Sequence, residues 1–380
     1  MRRYIKALFR VLFLMRLACK ARKLYYRVFD LIVGKLIFPV FLFINRKPLP
    51  APAGEINKIL VIRLDRIGDI VLSTPAIRAL RRLFPKATIH FMATRYTKDI
   101  LFGNPNINQV LIYEEGFYPQ VYDAAIALHP GILQNYLVFA SGARIRIGFS
   151  GFGGSFFLTH IIPDPRREPI CHEVEVALKA VKELGCSQDE QSLEIFKNVD
   201  SENFVQHYLQ GLGISEGDFI AVIHPGSRQE YLRWDKEKFA HIALRLMRDK
   251  KARVIIIGSS KEENLVKGVA FLMEDKPFCC TGLSLGQLIS LLSRAKLFVG
   301  NSTGPMHIAA ALNIPVVAIF GPKHQNDSYL RWGPWSKNSV VVRKEQNCKD
   351  CLPSQCFGFK CIKSISEEEV WRGIEKVLNE

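Results

Sequence analysis

Three features of the sequence predict an α/β fold built from two doubly wound, Rossmann-like domains. Short apolar runs of strand length alternate with longer segments of helical periodicity, the pattern of a mostly parallel sheet covered on both faces. This rhythm occurs twice, once from residue 58 and again from about residue 218, with a polar stretch at 188–216 between the two series. Several strands then end in turns rich in Gly, hydroxyl and charged residues, and that edge of an open parallel sheet is where ligands bind. At 380 residues the chain is long enough for two separate cores.

In the first series, residues 58–64 (KILVIRL) form a strand run, 65–68 a turn and 69–84 a helix, followed by strand runs at 88–92, 109–112, 124–128 and 146–149. The second series places strands at 219–224, 253–258, 297–300 and 316–320. Helices are expected at 239–250, 262–272, 285–292 and 306–312, with a closing helix at 367–378. The expected organisation is an extension and linker (1–55), a first Rossmann-like domain (56–195), a linker (196–217), a second such domain (218–345) and a terminal segment (346–380).

The extension carries the charge. Of a net +16, eleven positive charges lie in residues 1–50, where twelve Lys/Arg meet a single acid, Asp30. Arg16, Lys20, Lys23 and Arg27 share one helical face, as do Arg3, Lys6 and Arg10, among Leu, Phe and Tyr. Such a helix suits an anionic membrane surface, with its apolar side among acyl chains. The run at 31–44 is shorter than a spanning helix needs and is interrupted by Lys35 and Pro39, so peripheral attachment is preferred over crossing. A solvated basic helix on the protein's own surface is the plainer alternative. Nucleic acid would also accept positive charge, but the excess lies away from the expected ligand cleft. No secretory signal is evident, since Arg10 and Arg16 break the first apolar stretch, and a cytoplasmic setting is expected.

Three turns carry chemistry. In 299–312 (VGNSTGPMHIAAAL), Asn301 to Pro305 form a polar turn before a helix. Its unpaired N–H groups, with the hydroxyls of Ser302 and Thr303 and the close approach allowed at Gly304, suit an anion. An ordinary capped strand-to-helix joint would look the same. The turn at 224–234 (HPGSRQEYLRW) adds Gly226, Ser227 and the cations Arg228 and Arg233. The turn at 63–69 (RLDRIGD) puts Asp69 at a helix start. An acid facing an anion-binding wall suits transfer of a group from a phosphate leaving group to a hydroxyl, one side taking a proton while the other stabilises departing charge. Alone, Asp69 would be no more than a carboxylate complementing a helix dipole. His224 and His307 read first as packing or hydrogen-bonding residues. Trp332 and Trp335 serve equally as cover for a nucleotide base or as core.

Taken together, KILVIRLDRIGDIVLSTPAIRALRRLFP, HPGSRQEYLRWDKEKFAHIALRL, VIIIGSS, FVGNSTGPMHIAAALNIPVVAIFGP and CKDCLPSQCFGFKC resemble the family 9 glycosyltransferases, the heptosyltransferases of lipopolysaccharide core assembly. The resemblance runs in order from Lys58 to the C-terminus. It implies a GT-B fold, an acceptor side at the N-terminal domain, and a C-terminal domain holding a nucleotide-sugar donor, typically ADP-heptose. It also implies inverting transfer that requires no metal, consistent with the absence of a D-x-D triplet from the sequence. Carried over, Asp69 becomes the general base. The donor would lie against Asn301, Ser302, Thr303, Gly304, Pro305, Met306 and His307, with Gly226, Ser227, Arg228 and Arg233 approaching. Arg63, Arg66 and Gly68 would face a lipid-linked glycan acceptor.

Two departures from the family bear on the donor sugar. Ser302 stands where many members have Asp, and Leu232 precedes Arg233 and Trp234 where a Lys is common. The resemblance leaves two alternatives: transfer of another sugar, and a catalytically silent protein binding a nucleotide-sugar or lipid. Nucleotide-sugar epimerases share the architecture but would not need the basic start. Cys348, Cys351, Cys356 and Cys361, spaced C-x2-C-x4-C-x4-C, suit a structural zinc site as well as they suit free or paired thiols. No cofactor is expected for catalysis and no nucleic-acid partner.

Overall fold

The computed structural model describes residues 56–116, 121–151, 153–164, 171–321, 324, 327–346, 356 and 358–379. The basic extension, and Cys348 and Cys351 of the cysteine cluster, lie outside the described residues.

Among the described residues, twelve strands form two six-stranded sheets in which the recorded pairings are parallel. In chain order the first sheet uses β1 (Lys58–Ile62), β2 (Thr88–Ala93), β3 (Gln109–Ile112), β4 (Ala124–Ala127), β5 (Ile145–Phe149) and β6 (His160–Ile162), arranged 3-2-1-4-5-6. The second uses β7 (Ile220–His224), β8 (Arg253–Gly258), β9 (Phe278–Thr281), β10 (Leu297–Asn301), β11 (Val316–Phe320) and β12 (Ser339–Arg343), arranged 12-11-10-7-8-9. The central strands β1, β4, β7, β10 and β11 are apolar nearly throughout because helices cover both faces, leaving no polar side to alternate with.

The helices are α1 (Ile67–Val71), α2 (Thr74–Leu83), α3 (Ile132–Ala140), α4 (Glu173–Lys182), α5 (Val199–Gly211), α6 (Lys236–Lys250), α7 (Glu263–Phe271), α8 (Leu285–Ser293), α9 (Gly304–Ala311), α10 (Tyr329–Trp332), α11 (Lys360–Lys363) and α12 (Glu367–Asn379). The single helix expected at 69–84 is two. Ser73 Oγ donates to Asp69 O at 2.7 Å and Thr74 Oγ1 to Val71 O at 2.8 Å, and Pro75 supplies no N–H, so the ladder is interrupted after the first turn. The polar stretch expected between the domains contains a 13-residue helix, α5, capped by the Asn198 side chain. None of the helices among the described residues is long and apolar enough to cross a membrane.

The chain divides into two compact units, Met1–Ile62 with Tyr118–Asp164, and Arg63–Phe117 with Pro165–Glu380. In the first, the Asp123 carboxylate accepts the Asn57 and Lys58 N–H groups at 2.9 Å each and ties the start of β1 to β4. In the second, Trp234, Phe239, Ile256, Val299, Ile319 and Trp371 belong to one buried core. Trp371 brings α12 into that core, and the Arg245 guanidinium lies 4.1 Å from its ring centroid.

Candidate active site

The functional side chains singled out above lie within the second unit, on turns that leave β1, β7 and β10. The turn after β1 feeds α1 and that after β10 feeds α9, and the two short helices pack on each other through glycines. A Cβ on Gly68 would stand 2.6 Å from His307 Cδ2, and one on Gly304 would stand 2.9 Å from Ile67 Cβ. Only glycine permits this approach at either place. It brings the first turn of α1, with Asp69, against the first turn of α9.

Asn301 joins the other two turns. Wholly buried at the end of β10, its Oδ1 accepts the Trp234 N–H at 3.0 Å and its Nδ2 donates to Pro225 O at 2.8 Å and Gly226 O at 3.3 Å. Its amide is therefore engaged within the fold. Arg233 Nε donates to Ser227 O at 2.8 Å, which holds the guanidinium along the same turn, while Arg228 is exposed. Ser227 is buried, and Ser302, Thr303, Gly304 and Pro305 are half-buried. Met306 is buried, so only its backbone faces the helix start, and Pro305 has no N–H to offer.

Thr303, His224 and Glu262 form a line beneath this edge. Thr303 Oγ1 lies 3.0 Å from His224 Nδ1, and His224 Nε2 lies 3.6 Å from Glu262 Oε2. The facing imidazole, with the Ser259 N–H (2.9 Å) and hydroxyl (2.8 Å), brings the Glu262 carboxyl down to about 2 against the pull of burial. Gly226 leaves room for that carboxylate, since a Cβ there would be 2.1 Å from Glu262 Oε1. The Ser259-x-x-Glu262 spacing marks Glu262 as part of a helix cap and gives no hint of its contact with His224.

Asp69 is 8% exposed. Its Oδ2 accepts the Arg66 N–H at 3.2 Å and its Oδ1 accepts Arg63 Nη2 at 2.6 Å. Arg63, expected at the acceptor, is 1% exposed and faces three carboxylates: Asp69, Asp65 (Nε to Oδ2, 2.9 Å) and Glu173 (Nη2 to Oε2, 3.0 Å). Arg66 is exposed at the start of α1. Burial would lower the Arg63 pKa, but Asp69, Glu173 and Asp65 together raise it above its ordinary value. Burial raises Asp65 to about 6, more than Arg63 lowers it. Glu173, also buried, is nevertheless held at about 2 because Arg63 and Arg331 flank it, Arg331 Nε donating to Oε1 at 2.6 Å.

His172 and His307 are packing groups that burial keeps neutral at pH 7. His172 caps α4: its Nδ1 accepts the Val174 N–H at 3.3 Å, so the proton sits on Nε2 and is donated to Gly333 O at 3.0 Å. Burial lowers its pKa. Its ring stacks on Trp335 at 4.3 Å between centroids, and Trp335 Nε1 donates to Gln191 O at 2.9 Å. Trp332 lies under the Arg331 guanidinium, 4.8 Å from centroid to Cζ. His307 is brought down to about 3 by burial and then by the nearby His172. Among the described residues there is no cluster of His, Cys, Asp and Glu that could hold a metal ion; Cys356 is exposed and Cys361 half-buried.

The sequence model of "Glycosyltransferase family 9 (heptosyltransferase)" matches residues 117–361, well over half of the chain. The chain belongs to glycosyltransferase family 9. The matched stretch contains the turns at 224–234 and 299–307, while the Asp69 turn precedes it. A similar protein is lipopolysaccharide heptosyltransferase 3 of Escherichia coli (strain K12), 28% identical over 301 residues that span 72% of this chain and 84% of that one. Among solved structures, the family 9 glycosyltransferase from Veillonella parvula DSM 2008 superposes with a TM-score of 0.76 at 24% identity, covering 87% of this chain and 99% of that one. The E. coli heptosyltransferase WaaC with ADP superposes at 0.65 and 18% identity, covering 84% and 99%. The expected GT-B architecture is therefore that of the protein, and the protein is a glycosyltransferase.

Proposed function

We propose that this glycosyltransferase moves a heptose from ADP-heptose onto a lipid-linked lipopolysaccharide core acceptor, with inversion and without a metal. The observation that carries the reading is Asp69, fixed by two hydrogen bonds in a helix turn that glycine contacts press against the start of α9. The donor diphosphate takes the N–H groups at 302–304 and 306 and the hydroxyls of Ser302 and Thr303. Gly226, Ser227, Arg228 and Arg233 approach from the neighbouring turn. The Asp69 carboxylate accepts the proton of an acceptor hydroxyl as that oxygen bonds to the anomeric carbon, and the bond from that carbon to the diphosphate oxygen breaks, releasing ADP. Arg66 and the backbone at Gly68 border the acceptor, and Arg63 acts on Asp69 from behind. The names of the similar proteins support the sugar, the acceptor and the nucleotide.

Ser302 and Leu232 favour a second reading, transfer of a different sugar, because neither supplies the charge common at its position. A thermal-shift titration of the full chain with nucleotide diphosphates and nucleotide-sugars separates the two, since a ligand of the folded state alone raises stability with log concentration. Stabilisation by ADP and ADP-heptose is expected, and preference for UDP or GDP derivatives would replace the sugar. Turnover should fall by about 10²–10⁴-fold in Asp69→Asn with donor affinity kept; an undiminished rate would remove Asp69 as the base.

The N-terminal extension, Met1 to about residue 50, is proposed to hold the enzyme on the cytoplasmic face of the inner membrane, where its acceptor is anchored. Reversing Arg16, Lys20, Lys23 and Arg27 to Glu in the full chain should abolish sedimentation with anionic vesicles, about 1 kcal/mol being lost with each cation. Unaltered sedimentation would point to another contact. Cys348, Cys351, Cys356 and Cys361 remain a proposed structural zinc site.

A further inference from the structure

The ion network behind Asp69 extends further than holding one carboxylate requires. Arg63 Nη2 touches Asp69 Oδ1 at 2.6 Å and Glu173 Oε2 at 3.0 Å, and Arg331 closes on the other Glu173 oxygen from α10. Arg63, Glu173 and Arg331 are 1%, 3% and 7% exposed, so water screens these charges weakly. A guanidinium held by one carboxylate alone keeps that group ionised and makes it a poor proton acceptor. Here Glu173 offsets Arg63 from the far side, and Arg331 in turn offsets part of Glu173.

We propose that Glu173 is a positioning residue for the transfer reaction: acting through Arg63, it fixes the Asp69 carboxylate and sets how readily it takes the acceptor's proton, with Arg331 acting in the opposite sense. This rests on Asp69 being the base. The remaining groups around Asp69 are Asp65 on the same turn, Arg66 through its N–H, His307 on α9 and His172 at the start of α4. Burial keeps both imidazoles neutral at pH 7, so they add no charge there.

The test uses the full chain with ¹³C-carboxyl-labelled aspartate, the Asp69 signal being the one absent from Asp69→Asn. Its titration is followed beside the pH dependence of turnover with ADP-heptose and heptose-deficient lipopolysaccharide. Glu173→Gln leaves Arg63 less neutralised, so the Asp69 midpoint and the acid limb of kcat/KM both move down by about one pH unit. Arg331→Gln leaves Glu173 entirely to Arg63, and the same midpoint and limb move up. Glu173→Asp keeps the charge, so it holds the midpoint and lowers kcat through a displaced carboxylate. A role in packing alone predicts lower stability with unmoved midpoints; that result, or shifts of one sign in both Gln variants, overturns the inference. If Glu173→Gln does not fold, the upward shift in Arg331→Gln decides. The two readings fail differently. Full activity in Asp69→Asn removes the base, whereas inactive Asp69→Asn with unmoved midpoints removes the role of Glu173 alone.

Discussion

A carboxylate that must take a proton is useful only if it cannot turn away, and two contacts from residues three apart see to that at Asp69. The Arg66 N–H and the Arg63 guanidinium hold one oxygen each. Beside it, Gly68 is defined by what it lacks, since His307 Cδ2 would be 2.6 Å from any Cβ. Gly68→Ala must push α1 off α9, an overpacking that costs about 1–3 kcal/mol. Urea unfolding should show that loss, and kcat should fall more than donor affinity because the displaced residue is next to Asp69. Equal kcat would mean the two helix starts need not touch. Asp69, Gly68 and Gly304 each sit in a compact turn that the sequence marks, but the approach of Gly68 to His307 and of Gly304 to Ile67 was not readable there. Nor were the contacts of Glu173, Arg331 and Glu262. Glu173 and Arg331 meet from 158 residues apart, and the Ser259-x-x-Glu262 spacing marks a helix cap without marking the contact with His224, so local spacing cannot encode such meetings.

Elements were legible to the degree that burial made them uniform. The central strands β7, β8, β10 and β11 are unbroken apolar runs and were placed to within a residue. Three strands were missed, β6, β9 and β12, and all three are sheet edges with one partner and partly exposed residues. An edge strand lacks the double burial that produces the apolar run, and of the four edges only β3, expected at 109–112, was read as a strand. The turns between elements depend on each other through Asn301, whose amide spans from β10 to the turn after β7. Asn301→Ala leaves the Trp234 N–H and Pro225 carbonyl buried without partners, at about 1–3 kcal/mol for each. Donor affinity should fall with stability, because the turn carrying Gly226 to Arg228 is no longer held against α9. A calorimetric titration with ADP checks this, and unchanged affinity would mean that the turn keeps its shape by itself.

The same buried ionisable groups give the whole molecule a characteristic response to acid. His307 is brought down to about 3, below its ordinary 6.5, and Glu173 to about 2, below 4.5. In both, the folded state binds its proton later than the unfolded chain. The stability each contributes is therefore present above its unfolded value and is lost as pH falls, between 6.5 and about 3 for His307 and between 4.5 and about 2 for Glu173. Asp65 has the opposite sign. Raised from 3.8 to about 6, it favours the folded state below its unfolded value, and that stability is lost as pH rises through about 6. Between roughly pH 6 and 4 the gain at Asp65 offsets the loss at His307, and below pH 4 His307 and Glu173 fall together with nothing opposing them. Urea midpoints measured from pH 7 to pH 3 should accordingly stay level to about pH 4 and then drop, each uncompensated proton contributing about 1.4 kcal/mol per pH unit. Asp65→Asn removes the opposing group, so its midpoints should decline from about pH 6 onward. A level curve in that variant would mean that Asp65 takes up no proton in the folded protein near pH 6, and that Arg63 keeps all three of its carboxylates ionised.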